Sequence, residues 1–230
     1  MSALITTPST YSLPAPATLP IRVPSLPTNT HPVYLAAKRG LDVVGALAGI
    51  LLLSPVLLLV ALLIKIDDGG PVFFTQTRVG KGGRLFTFFK FRSMCVDAEA
   101  KREALKAQSE DETRFKMKRD PRITWIGAWI RRLSIDELPQ LFNVLRGDMT
   151  LVGPRPAIPE EVLDYTPEDA KRLNVEQGLT CLWQVGGRSL LDFEQQMELD
   201  RDYVRTRSLW LDLKLLVLTV PAVATGRGAY

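Results

Sequence analysis

Val43-Val44-Gly45-Ala46-Leu47-Ala48-Gly49-Ile50-Leu51-Leu52-Leu53-Ser54-Pro55-Val56-Leu57-Leu58-Leu59-Val60-Ala61-Leu62-Leu63-Ile64 carries no charge from end to end. As one straight helix it would cover roughly 33 Å, about the hydrocarbon thickness of a bilayer, so it reads as a membrane segment. Ser54 and Pro55 stand at its midpoint. Pro55 has no N–H for the carbonyl of Leu51 and its ring pushes that carbonyl aside, so a bend is expected where a through-going helix would be deepest in lipid. The Ser54 hydroxyl can satisfy part of the freed backbone. Lys38 and Arg39 precede the segment and Lys65 follows it. Cytoplasmic flanks carry the excess of Lys and Arg, and both flanks obey that tendency only if both face the cytoplasm. That favours a hairpin re-entering one leaflet; a single span kinked at proline is the alternative.

Outward from this segment, residues 1–32 hold seven of the sixteen prolines among scattered Ser and Thr, without a basic start and apolar core. The composition predicts a disordered tail and no signal peptide. Residues 33–66 form the re-entrant unit, and residues 67–230 are long enough for one domain on the cytoplasmic face. Its first elements are two β-rich runs, Val72 to Val79 and Leu85 to Arg92, around Gly80-Lys81-Gly82-Gly83, the pattern of a hairpin. Lys90 and Arg92 share one face of the second run, Phe89 and Phe91 the other. The glycines lack the spacing of a nucleotide-binding P-loop. Residues 97–122 are densely charged and predict a solvated helix and a basic turn with Lys116, Lys118, Arg119 and Arg122. Ile126, Trp129, Ile130 and Leu133 fall at helical spacing beside Trp125, with Arg131 and Arg132 on the polar side, which suits either a core stripe or a helix at headgroup level. Leu209 to Val223, headed by Trp210 and interrupted by Asp212 and Lys214, is a second interfacial or packing helix. The fold class is α+β and mostly α: a monotopic membrane protein with a re-entrant helix, interfacial amphipathic helices and a small β-hairpin. Such helices would give a homodimer ample surface.

The net charge of +4 and pI near 9.1 fit a protein that meets phosphates or an anionic membrane, and no zinc finger or basic repeat calls for nucleic acid. Cys95 and Cys181 lack metal spacing and point to a reducing compartment. The single histidine, His31, lies in the proline-rich segment. This removes Ser-His-Asp triads, Cys-His pairs and histidine zinc sites, and leaves carboxylates as the first choice for acid, base or nucleophile. In a carboxylate site that handles phosphates, the expected helper is a hard cation such as magnesium.

The carboxylates are Asp136 and Glu137, in Arg131-Arg132-Leu133-Ser134-Ile135-Asp136-Glu137-Leu138-Pro139-Gln140, followed by Gly153-Pro154-Arg155-Pro156. Ser134 and Glu137 read as a capping box, placing Asp136 in the first turn of a helix to about Leu145. A helix N-terminus favours a carboxylate or a phosphate, so Asp136 is expected to be ionised, as a nucleophile or metal ligand must be. Arg155, between two φ-locked prolines, offers a pre-oriented fork for two phosphate oxygens; a solvated arginine on a surface turn is the plain alternative.

These pieces resemble the monotopic phosphoglycosyl transferases, bacterial sugar transferases that begin glycan assembly on a polyprenyl phosphate. The resemblance runs from about Lys38 to Tyr230 through Lys38-Arg39-Gly40-Leu41-Asp42, Ser54-Pro55, Phe74-Thr75-Gln76-Thr77-Arg78-Val79-Gly80, Phe89-Lys90-Phe91-Arg92-Ser93-Met94, Leu133 to Met149, Val152 to Pro156, and Leu182-Trp183-Gln184-Val185-Gly186-Gly187-Arg188. It implies that residues 67–230 are a catalytic domain on the bacterial inner membrane, with Asp136 as nucleophile, Glu137 as its magnesium-binding partner and Arg155 as a phosphate ligand. It further implies a UDP-sugar donor, an undecaprenyl phosphate acceptor, UMP as leaving group and a phosphosugar held on Asp136. Lys90, Arg92, Arg131, Arg188 and Asp200 would bind substrate or phosphate, although internal ion pairs explain each equally well. The donor sugar is expected to be glucose or galactose, since the whole sequence, including Gly226 to Tyr230, resembles initiators of exopolysaccharide synthesis.

The chain departs from the family pattern at Gln177 and Cys181, where Pro and Gly are usual, and at Gly186. Cys181 is expected to restrict a turn that favours positive φ. With only a short tail before the membrane segment, the chain looks like the minimal catalytic form. Two rival readings are a metal-dependent glycosyltransferase using Asp200-Arg201-Asp202, and a non-catalytic membrane anchor of an assembly complex. The anchor needs only the apolar segment and leaves the dyad and Arg155 without purpose.

Overall fold

The computed structural model describes residues 17–105, 120–187 and 190–225. The apolar stretch lies within one 37-residue helix, α1 (Pro32–Asp68), about 55 Å long at 1.5 Å per residue. Pro32 opens it where a missing N–H is no loss. Gly69, at φ 71°, closes it in the left-handed conformation, and Lys65 Nζ reaches the Gly69 carbonyl at 2.7 Å. Within α1 the Ser54 hydroxyl donates to the Leu51 carbonyl at 2.9 Å, the one that Pro55 leaves without a helical donor.

Tyr34, Lys38, Asp42, Ala46, Val60 and Ile64 recur along one stripe of α1 and are buried. The other side exposes Leu47, Leu51, Leu52, Leu58, Leu59 and Leu62. Only 11% of its most apolar window is buried, so this is no core helix, and it alone among the described helices is long and apolar enough to cross a membrane. Both of its halves pack on the same domain. In the first half Lys38 Nζ bonds Asp212 and the Val152 carbonyl, each at 2.9 Å. Arg39 donates to the carbonyls of Val144 and Leu145 at 2.6 and 2.8 Å, and Asp42 accepts from Thr150 Oγ1 and the Leu151 N–H. In the second half Val60 and Ile64 meet Phe91, Ile126 and Ile130. Lys38 is therefore buried and not a headgroup-facing flank charge, whereas Arg39 stays exposed while binding a helix end. Each is spent on a partner more than a hundred residues away, because a buried ammonium needs a carboxylate and a helix C-terminus attracts a guanidinium.

The hairpin forms as its alternation predicts: β1 (Phe73–Val79) pairs antiparallel with β2 (Leu85–Phe91). Gly82 at φ 64° and Gly83 at φ 86° make the connection. Gln76 lies opposite Phe88 and Arg78 opposite Phe86, so Gln76, Arg78, Phe88 and Lys90 share one face. On the other face Phe73 stacks on Phe91 at 5.4 Å. The charged run contains α2 (Ala98–Leu105); Lys116, Lys118 and Arg119 lie outside the described residues. Arg122 is not a free cation of a basic turn, since it pairs with Asp120 at 2.7 Å.

Helix α3 (Trp125–Arg132) divides its apolar stripe, burying Ile126 and Ile130 against α1 while Trp125 and Trp129 stay 62% and 59% exposed beside its arginines. Helix α4 (Gln140–Arg146) is stapled to β2 by Asn143, whose amide accepts from the Phe89 N–H at 3.1 Å and donates to the Thr87 carbonyl at 2.6 Å. Strand β3 (Thr150–Val152) leads into Gly153-Pro154-Arg155-Pro156 and pairs in parallel with β4 (Gly178–Thr180). Here a Cβ on Gly178 would stand 2.1 Å from the Gly153 nitrogen, so only glycine lets the two chains meet. Short helices α5 (Pro159–Leu163), α6 (Pro167–Ala170) and α7 (Leu182–Gly186) surround this turn. Helix α8 (Phe193–Thr206) supplies Tyr203 and Val204 to the core. Helix α9 (Leu209–Thr225) buries Asp212 and Leu215 while exposing Trp210, Leu213, Val217 and Val220.

Two expectations fail here. Residues 17–31 are not a disordered tail. The Ala17 carbonyl accepts from the Leu85 N–H, Leu19 donates to Gly83, Leu26 is buried, and Leu19, Ile21 and Val23 cover the cluster of Val79, Ala157 and Leu173. Their alternating apolar side chains bury surface that the proline content conceals. Cys181 causes no strained turn either: it is fully buried in an extended conformation, at φ −150°. Gln177 is buried as well and donates to the Val175 carbonyl at 2.9 Å.

Candidate active site

The site begins at Ser134, which at φ 53° is the only non-glycine residue in the left-handed region among those described. Its side chain caps nothing. The predicted capping box is absent because Pro139 has no N–H for the Ile135 carbonyl; the Leu138 N–H takes it instead, and the chain tightens into a 3-10 turn, Ile135–Glu137, ahead of α4. Asp136 and Glu137 thus sit on a tight turn and not in the first turn of a helix. A strained residue leading directly into two carboxylates is characteristic of functional turns.

The two acids have opposite surroundings. Glu137 is clamped: Arg155 reaches both its oxygens, at 2.5 and 3.0 Å, and Lys90 Nζ reaches Oε1 at 2.9 Å. Burial works to raise its pKa, but Arg155 and Lys90 more than offset this and hold the carboxyl well below the usual carboxylate range. Asp136 is only 6% exposed, accepts no hydrogen bond among the described residues, and has its nearest cation, Lys90, at 3.8 Å. Burial pushes its carboxyl above the usual range; Lys90 opposes the shift, the Glu137 charge adds to it, and Arg131 and Arg155 also oppose it. The ionisation expected from a helix N-terminus thus depends on these cations instead. A buried carboxylate whose lone pairs are uncommitted, facing a fixed positive charge, is suited to attack an electrophile.

Lys90 and Arg155 therefore meet at the dyad, and Arg131, at the end of α3, adds its field. Arg92 does not: it forks onto Asp68 and donates to the Pro71 carbonyl at 2.6 Å, which ties the hairpin to the end of α1. Asp200 lies behind the Gly-Pro-Arg-Pro turn, paired at 2.6 Å with the buried Arg172, whose Nη2 also donates to the Arg155 carbonyl at 2.6 Å. Arg188 lies outside the described residues. Asp202 pairs with Arg205 at the surface while Asp200 is buried, so the two acids of the Asp-x-Asp triplet diverge from one helix and cannot share a cation. Among the described residues no three acids, histidines or cysteines gather around a metal position. Asp136 offers uncommitted oxygens to a magnesium ion of the kind that takes one or two carboxylates and draws its other ligands from phosphate and water, whereas Glu137, whose oxygens already hold Arg155 and Lys90, would have to share them to join it.

Sequence reasoning missed Arg78, Arg172 and Asn143. Arg78 was legible in principle: the hairpin register puts it on the same face as Lys90. The partners of Arg172 and Asn143 lie too far along the chain to be read from spacing.

A buried carboxylate pair thus lies under fixed cations beside a long apolar helix, and comparison with known proteins gives the family. The model described as bacterial sugar transferase matches residues 33–226, and the chain belongs to that family. Relatives include the exopolysaccharide production protein ExoY of Rhizobium meliloti, 38% identical over 219 residues, covering 93% of this chain and 97% of ExoY. The galactosyl transferase CpsE of Streptococcus agalactiae is 46% identical over 198 residues, 85% of this chain and 44% of CpsE. The undecaprenyl-phosphate galactose phosphotransferase of Salmonella typhimurium is 43% identical over 199 residues, 84% and 41%. The chain thus spans nearly all of ExoY but less than half of the other two.

Proposed function

We propose that this transferase moves a hexose-1-phosphate, galactose or glucose, from a UDP-sugar to undecaprenyl phosphate, as the first membrane step of exopolysaccharide synthesis. The observation that carries the reading is Asp136: buried, without a hydrogen bond among the described residues, and 3.8 Å from Lys90. Its oxygen attacks the sugar-bearing phosphorus, the bond from that phosphorus to the bridging oxygen breaks, and UMP leaves with the oxygen and its electron pair. The phosphosugar stays on Asp136 as an acyl phosphate. A phosphate oxygen of the polyprenyl acceptor then attacks the same phosphorus, the bond to Asp136 breaks, and the carboxylate returns. Lys90 and Arg155 are placed to offset charge on the phosphate oxygens, the main demand of phosphoryl transfer. Magnesium, held by Glu137 with Asp136, would supply further charge neutralisation.

The work would take place on the cytoplasmic face of the bacterial inner membrane. Support comes from α1: its two halves rest on one domain, so neither end is free to lie across the bilayer from it, which favours re-entry over a span. The exposed tryptophans of α3 and α9 suit the headgroup level.

The test is to incubate membranes containing the protein with a panel of labelled UDP-sugars and magnesium, without acceptor. Label on the protein identifies donor and intermediate together, and Asp136→Asn abolishes both label and transfer while leaving membrane binding intact. Near-normal transfer by Asp136→Asn, or release of UDP in place of UMP, would overturn the mechanism.

A further inference from the structure

A second cleft opens beside Arg155, walled by Arg78, Arg155, Glu161, Arg172, Trp183 and Gln196 and not by the dyad itself. Among the described residues the cleft holds three guanidinium groups, and two are matched, Arg155 by Glu137 and Arg172 by Asp200. The third is not. Arg78 forms no ion pair among the described residues; it donates to the Pro156 carbonyl at 3.1 Å and to Gln76 Oε1 at 2.8 Å, and its buried Nε has no partner. Its guanidinium lies against the Phe88 ring at 5.2 Å, which fixes its plane. Burial, with repulsion from Arg155 and against the pull of Glu161 and Glu137, pushes its pKa down to about 10. A cation held in place, with donors to spare and with Glu161 and Glu137 reaching it through their field and not through an ion-pair contact, is a site that an anion completes.

Resting on the donor class proposed above, we propose that this cleft binds the nucleotide half of the donor, with Arg78 as a ligand of the nucleotide phosphate that departs. A lipid phosphate carries similar chemistry, but the surroundings favour the nucleotide. The walls here are polar, whereas the cleft on the Glu137 side is lined by Leu133, Leu138, Leu151, Leu179, Leu216 and Val223 and runs under α9. Glu137 lines the apolar cleft and its ion-pair partner Arg155 the polar one. A nucleotide entering from the polar side and a polyprenyl chain from the apolar side would meet across the dyad, each phosphate approaching Arg155 from its own direction.

The test compares the full chain in membranes with Arg78→Gln and Arg78→Lys, measuring KM for the UDP-sugar, KM for undecaprenyl phosphate, inhibition by UMP and thermal stability. Arg78→Gln is expected to raise the donor KM and the UMP inhibition constant on the order of 10- to 100-fold, the scale of a lost charged hydrogen bond, with the acceptor KM nearly unchanged. Arg78→Lys, keeping the charge without the fork, falls between. Unchanged donor KM and UMP inhibition would overturn the assignment, as would a rise in the acceptor KM alone, which would make the cleft a lipid-phosphate site. Equal losses on both substrates with a lowered melting temperature would also overturn it, reducing Arg78 to a support for Pro156. Calorimetric binding of UMP to wild type and Arg78→Gln separates this from the donor reading. A wild type that binds UMP through Arg78 but releases none from any UDP-sugar refutes the proposed reaction and leaves the cleft standing.

Discussion

Lys90→Met removes the cation nearest Asp136 while keeping the length and apolar body of the side chain. At 3.8 Å from Oδ2 a unit charge acts with about 4 kcal/mol at an effective dielectric near 20. Lys90 is one-fifth exposed and makes its closer contact, 2.9 Å, with Glu137. Water entering the vacated space and the remaining arginines recover part of the loss, leaving roughly 1.5–3 kcal/mol, the range for a charged contact, or about 10- to 100-fold in rate at neutral pH. The loss has a signature. Burial already pushes the Asp136 carboxyl up against the pull of Lys90, so without Lys90 it rises further and the acid limb of the rate profile moves to higher pH. Single-turnover release of nucleotide, followed from about pH 5 to 9, reads this directly. Activity should recover in part as the pH is raised. A profile of wild-type shape, lowered equally at every pH, would refute the argument that Lys90 acts through the charge state of Asp136.

Glu137 should make the protein sensitive to acid: its carboxyl is held below the usual 4.5, so its stabilisation is complete above that pH and is lost as the pH falls through the lower folded value. The melting-temperature gap between wild type and Glu137→Gln should therefore narrow below about pH 4.5, and a gap independent of pH would contradict the clamp. Gly178→Ala puts a Cβ 2.1 Å from the Gly153 nitrogen; it should displace the turn that carries Arg155 and cut transfer by more than about tenfold, whereas a wild-type rate and melting curve would show that the strands part freely. Chelating divalent cations should stop transfer, and added magnesium should restore it in wild type at a lower concentration than in Glu137→Gln, so full activity in chelator would remove the metal from the mechanism.

The hairpin was legible because β-branched and aromatic residues alternate on both sides of a glycine turn, a purely local signal. The Ser54–Leu51 hydrogen bond was legible for the same reason, since Pro55 and the carbonyl it strands lie within one helical turn. The geometry of the dyad was not. Ser134 and Glu137 have the spacing of a capping box, but Pro139 withholds the donor that a regular turn would need and Ser134 leaves the right-handed region. Charge also conceals its partner: Lys38, Arg39, Arg92 and Arg155 look alike in sequence, and whether each meets Asp212, a helix end, Asp68 or Glu137 is decided by tertiary contacts. Leu19, Ile21 and Val23 were hidden by their prolines, although their alternation was in plain view.

The stripe that seats α1 on the domain leaves the molecule without a seam. An anchor joined to its enzyme by a linker can be cut away to give a soluble fragment, but here removal of the helix would strip the counter-charge from Asp212, the acceptor from Thr150 and the apolar cover from Ile126 and Ile130. Truncation would flay the catalytic body rather than release it, and solubility is better sought by repainting the outward leucines.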